Sequence, residues 1–128
     1  MAVTAIDHLV LYATDVEETC EFYAETLGVA DREAFGDGRV ALTFGNAKLN
    51  VHPAGDEYDP HAADPAPGSA DFCLVVDEPV AALAERFADA GVELVAGPVA
   101  KVGARGETES VYVRDPDGNL AEFAHYGD

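Results

Sequence analysis

"IDHLVLYATDVEETCEFYAETLG", residues 6–28, passes from an apolar run into a helical pattern and stops at a glycine. "DFCLVVDEPVAALAERFADAG", residues 71–91, makes the same passage. In the first stretch the Ile, Leu, Val and Tyr content predicts a strand. The helix after it carries Val16, Cys20, Tyr23 and Leu27 at helical spacing, and Asp15 with Glu18 forms an acidic capping box. In the second stretch Pro79 suits a first helical turn, and Val80, Leu83, Ala84 and Phe87 make one apolar stripe. Gly28 and Gly91 supply the two stops.

Outward from these stretches the pattern continues in both copies. "VADREAF", "RVALTF" and "AKLNVH" are short strand candidates separated by the turns "GDG" and "GN". The second copy ends in "SVYVRDPDGNLAEFAHY", with the longer turn "RDPDGN". The expected fold class is therefore α+β, a βαβββ module used twice to build a curved mixed sheet. One domain is expected, with a first module over about 4–53, a linker over about 54–68 and a second module over about 69–127. The linker, rich in proline, small residues and acids, need not be disordered.

Registering the copies by their glycines places Asp71 where the first copy has His8. Laying "AKLNVH" on "NLAEFAH" sets Asn50 opposite Glu122, with His52 two residues further along the same face. Alternation puts Glu122 with Leu120 and Ala124, on a side expected to be turned towards other protein. Four corresponding strand positions thus carry polar groups: His8, Asn50 or His52, Asp71 and Glu122. An ionisable side chain facing a core is costly unless paired or bound to a cation, and imidazole nitrogen and carboxylate oxygen suit Zn, Ni, Mn or Fe. Against this stands the ordinary reading, a strand residue that faces solvent or is satisfied by a core hydrogen bond. His61 in the linker and His125, of opposite parity to Glu122, take that ordinary reading. Lys101 and Arg105 lie in the glycine-containing stretch "KVGARGETES", read as a loop able to close over an anionic substrate.

Composition sets the outer bounds. The 128 residues, 48% of them hydrophobic, suffice for one core. Twenty-five acids against seven Lys and Arg give a formal charge of −18. Such a surface repels phosphates, so nucleic acid and anionic membrane are not expected partners. The acid excess is that of a solvated, salt-tolerant (halophilic) surface, because screening shortens repulsion between like charges. With neither a signal peptide nor a spanning apolar run in the sequence, a soluble cytoplasmic protein is expected. Cys20 and Cys73 fit no metal or redox spacing and are read as buried free thiols. No G-x-S-x-G elbow, P-loop or dinucleotide fingerprint supports nucleophilic hydrolysis, nucleotide hydrolysis or hydride transfer.

Taken together, "IDHLVLYATDVEETCEFYAETLGV", "ALTFGNAKLNVH", "PAPGSADFCLVV" and "SVYVRDPDGNLAEFAHY" resemble the vicinal oxygen chelate superfamily. That superfamily includes glyoxalase I, fosfomycin-resistance enzymes, extradiol dioxygenases and bleomycin-binding proteins. The chain is most similar to its glyoxalase domain-containing branch of the "virulence protein" type. The resemblance implies one divalent metal ion, with His8 and Glu122 as ligands of the expected type. Asp71 stands where His, Gln or Glu is usual, and Asn50 stands where glyoxalase I carries Glu, with His52 as a compensating ligand. It further implies glyoxalase-type lyase or isomerase chemistry on a small oxygenated metabolite, through a metal-stabilised enolate or oxyanion. Glu122 or Asp71 would move the proton, and Asn50, Lys101 and Arg105 would meet the substrate. A homodimer is implied as well. The alternatives are a metal-free small-molecule or antibiotic-sequestering protein of the same fold and, less favoured, a dioxygenase.

Overall fold

The computed structural model describes residues 1–127 and divides into two compact units, Met1–Gly68 and a second beginning at Ser69. Each is built on the same plan.

In the first unit, β1 (His8–Ala13) leads into α1 (Val16–Glu21), a π-helical turn (Phe22–Thr26) and three strands, β2 (Asp31–Phe35), β3 (Arg39–Phe44) and β4 (Ala47–Pro53). The Asp15 side chain accepts from the Glu18 N–H at 3.1 Å, satisfying one of the donors that a helix start leaves open. Gly28 ends the helical segment at φ +67°, a conformation that would cost an L side chain energy. The sheet order is β1-β4-β3-β2: β1 runs parallel to β4, and β3 is antiparallel to both of its neighbours. Leu11, Leu49 and Val51 join Cys20, Tyr23 and Leu27 in the core, so alternation sends Val10, Asn50 and His52 to the other face.

The second unit repeats this as β5 (Asp71–Val75), α2 (Val80–Asp89), β6 (Ala96–Gly103), β7 (Gly106–Arg114) and β8 (Leu120–His125), in the order β5-β8-β7-β6. Pro79 caps α2 from the position just before it. Val80, Leu83 and Phe87 point inward from the helix, and Phe87 meets Phe123 edge-on at 5.4 Å. The mixed sheet thus takes the form of two four-stranded sheets, one in each unit. The strands of the outer hairpin differ in length: β2 and β3 have 5 and 6 residues, β6 and β7 have 8 and 9.

Two local expectations are corrected. The stretch "KVGARGETES" is a tight hairpin, with Lys101 inside β6 and Gly103 paired with Gly106, so only Ala104 and Arg105 lie between the strands. Arg105 is held there by a backbone N–H donating to the Tyr126 hydroxyl at 3.2 Å and by its guanidinium stacking on that ring at 4.2 Å. Cys20 is buried as expected, but Cys73 is exposed, because it lies on the side of β5 that the helix does not cover.

Candidate functional site

The register of each sheet assembles the polar residues on its open face. In the second unit, Cys73 pairs with Glu122 on one side and Tyr112 pairs with Glu122 on the other, with Asp71 beside Leu120 one step away. Ala121 and Phe123 are the fully buried members of β8, and Glu122 is half-buried on the opposite face. The helix covers the odd positions of β8, while on the even side Leu120 and Glu122 are half-buried and Ala124 is buried.

Tyr112 and Cys73 flank Glu122 across the sheet, one on each neighbouring strand. Burial, then the Glu122 charge, pushes Cys73 up to about 11, and the same two causes raise the Tyr112 phenol. Both neighbours thus remain proton donors at neutral pH. Asp71, Ala96, Lys101, Tyr112, Leu120 and Glu122 line a cavity of about 500 Å³ on this face. The Lys101 ammonium lies 5.8 Å from the Tyr112 ring centre. Arg105 lies outside that lining. His125, of opposite parity, lines a different hollow together with Glu109 and Tyr126.

In the first unit, Val10 pairs with Asn50 and Tyr12 with His52, and His8 begins the strand one step earlier on the same face. His8 and Asp71 therefore hold equivalent first positions, and Asn50 and Glu122 equivalent positions on the last strands. His8 is exposed, its Nδ1 2.8 Å from the Asp7 carboxylate. His52 is buried between Tyr12 and Tyr58, whose rings stand edge-on to it at 6.0 and 4.9 Å. Burial, followed by the positive charge of Arg39, holds His52 below its usual value.

The proposed metal donors thus fall two in each unit, His8 and His52 in the first, Asp71 and Glu122 in the second. Among the described residues, no three His, Cys, Asp or Glu side chains gather as a divalent ion would require. The chemistry below is derived from this chain's own side chains.

Tyr112, Arg39 and Tyr58 were not singled out from the sequence, and Cys73 was read only as a buried thiol. Parity along "SVYV" could have placed Tyr112 opposite Glu122. No periodicity marks Tyr58.

The family model for the Glyoxalase/Bleomycin resistance protein/Dioxygenase superfamily matches residues 5–123. Virulence protein STM3117 of Salmonella typhimurium is 44% identical over 126 residues, 98% of this chain and 87% of that one. Glyoxalase domain-containing protein RDO1 of Mycosarcoma maydis is 42% identical over the whole of this chain and 72% of its own length. The integron cassette protein VCH_CASS1 from the mobile metagenome of V. cholerae superposes with a TM-score of 0.95 at 42% identity, over 99% of this chain and 98% of that one. With its two βαβββ units and these matches along nearly its full length, the chain belongs to the glyoxalase/bleomycin resistance protein/dioxygenase superfamily.

Proposed function

We propose that this chain catalyses a glyoxalase-type isomerisation of a small oxygenated metabolite, with Glu122 as the group that moves the proton. The observation that carries this reading is the half-buried carboxylate of Glu122, flanked by Tyr112 and Cys73 at the wall of a cavity of about 500 Å³. Glu122 takes a proton from a carbon beside a carbonyl, and the freed electron pair moves onto the carbonyl oxygen as an enolate. Lys101 and the Tyr112 hydroxyl, on the same wall, meet the oxygen's developing charge. Return of the proton to the neighbouring carbon, with the second oxygen losing its own proton and the enolate oxygen taking one up through solvent, completes the isomerisation. Asp71 adds a second carboxylate to the wall. An ion held by His8, His52, Asp71 and Glu122, as the resemblance implies, enters no step.

The test is turnover of hemithioacetals and related α-oxygenated carbonyl compounds. Glu122→Gln should lose about 10²-fold or more in kcat, the usual range for a positioned base, whereas His125→Ala should stay within about twofold. Equal activity in both variants would remove Glu122 from the reaction. Elemental analysis of untagged protein purified without chelator, beside His8→Ala, accompanies it. About one divalent ion per chain, lost in the variant, would reinstate the metal-dependent form.

The second reading is a protein that sequesters a ligand without turnover, and the aliphatic walls Val95, Val99 and Leu120 favour it. Its signature is saturable binding at this face with no product and no loss in Glu122→Gln. A homodimer suits exposed Leu9 and Val75, each on a strand with a single hydrogen-bonded neighbour, and light scattering decides it.

A further inference from the structure

Residues 54–68 leave β4 as a strap that ends the first unit. None of them is buried, and residues 59–64 are exposed throughout. A segment that buries so little of itself has little apolar area to hold it down. Several of its hydrogen bonds are local. The Gly55 N–H donates to the Glu57 carboxylate at 2.6 Å and the Asp56 N–H to the Pro53 carbonyl at 3.2 Å, while His61 Nδ1 lies 2.9 Å from the Ala62 carbonyl oxygen. Such bonds stay made wherever the strap lies.

Other contacts seat it on the sheet. The Ala62 N–H reaches back to β1 to donate to the Tyr12 hydroxyl at 3.0 Å. The Tyr58 ring meets the His52 imidazole edge-on at 4.9 Å, and the Arg39 guanidinium lies 4.4 Å from the centre of that ring. Closure also carries a cost. His52 is 6% exposed, and its Nδ1 has no hydrogen-bond partner. A buried polar atom left unpaired keeps the loss of its water without a return. Lifting Tyr58 gives up a ring contact and a hydrogen bond, but it hands that nitrogen back to water. The gain offsets part of the loss, as a movable cover requires.

We propose that residues 54–68 are a hinged cover over the open face of the first unit, with Tyr58 as its stopper and the Ala62–Tyr12 hydrogen bond as its latch. Closed, it shuts solvent and solutes away from His52; open, it bares the ends of β1 and β4. This goes beyond the proposed isomerisation and does not depend on it: the cover lies in the first unit and Glu122 in the second, and the readout is opening rather than turnover.

Two probes applied to the full chain read the opening. One is native-state hydrogen exchange at the Ala62 amide. The other is acylation of His52 by diethyl pyrocarbonate, located by peptide mass with the exposed His8 and His61 as controls. The Ala62 amide should exchange at least about 100-fold faster than those of Leu49 and Val51, in the strand flanked by β1 and β3, yet at least about tenfold more slowly than a free peptide. Acylation of His52 should be at least about tenfold faster in Tyr12→Phe, which keeps the ring but lacks the latch. His52→Phe leaves a ring for Tyr58 and removes the unpaired nitrogen, so it should slow Ala62 exchange by about tenfold or more. Tyr58→Ala, without the stopper, should expose His52 as Tyr12→Phe does, and it decides the matter if Tyr12→Phe fails to fold. Exchange of Ala62 at the rate of Leu49 and Val51 would mean that the strap leaves the sheet only when the unit unfolds, and would overturn the cover. So would free-peptide exchange in the wild type, unchanged acylation of His52 in both tyrosine variants, or Ala62 exchange that is no slower in His52→Phe.

Discussion

At the scale of single residues, burial without a partner gives His52 a measurable pH signature. Its folded-state value is lowered from 6.5, chiefly by burial and then by Arg39, so the unfolded chain takes up the proton first as pH falls. The contribution of His52 to stability is fully present above about 6.5 and is lost as pH drops towards the depressed value. Urea unfolding at about pH 7.5 and pH 5.5 should show the wild type weakening in acid, and His52→Phe should flatten that slope. An equal slope in both proteins would assign the pH response to other groups. The candidate residues could be named from the sequence because each broke an apolar alternation. Their surroundings could not, because Tyr12, Arg39 and Tyr58 reach His52 from three different segments, one of them without periodicity.

At the scale of elements, the clearest constraint is Gly97 in β6, at φ +104°. A Cβ added there would overlap the Ser110 carbonyl oxygen and lie 2.9 Å from the Val111 Cα, both backbone atoms that cannot yield without disturbing the β6–β7 ladder. Gly97→Ala should therefore cost roughly 2–4 kcal/mol, read as a shift of the denaturation midpoint at constant m. A cost below about 0.5 kcal/mol would show that the ladder absorbs the clash. Such positions are invisible to a reading of composition, in which this glycine resembles any other. The strands and helices themselves were legible, since alternation, an acidic cap at Asp15 and glycine stops at 28 and 91 all point the same way. The hairpin around Arg105 was misread as a loop because its glycines, which permit a tight two-residue turn, also mark loops.

On the scale of the whole molecule, the formal charge of −18 opposes compaction by self-repulsion. Raising sodium chloride from about 0.1 M to 1 M shortens the screening length from roughly 10 Å to 3 Å. The melting temperature should rise by several degrees across that range, and a variant in which four or five exposed acids are replaced by Gln or Asn should rise less. A flat or falling response would remove salt adaptation from the account of this surface. The acidic composition was plain in the sequence, and the repeat was too. The pairing partners of each strand needed coordinates, since spacing alone does not say which neighbour a strand takes.

The difference in length between the two outer hairpins bears on how such a duplicated chain can be altered. Each strand of the second hairpin exceeds its counterpart by three residues, yet the parallel pairs, β1 with β4 and β5 with β8, keep matching registers. The longer hairpin leaves those parallel pairs undisturbed. A protein engineer seeking a splice point for an epitope or a recognition loop would choose the tip between Phe35 and Arg39, or its counterpart at Ala104, and leave the parallel pairs alone.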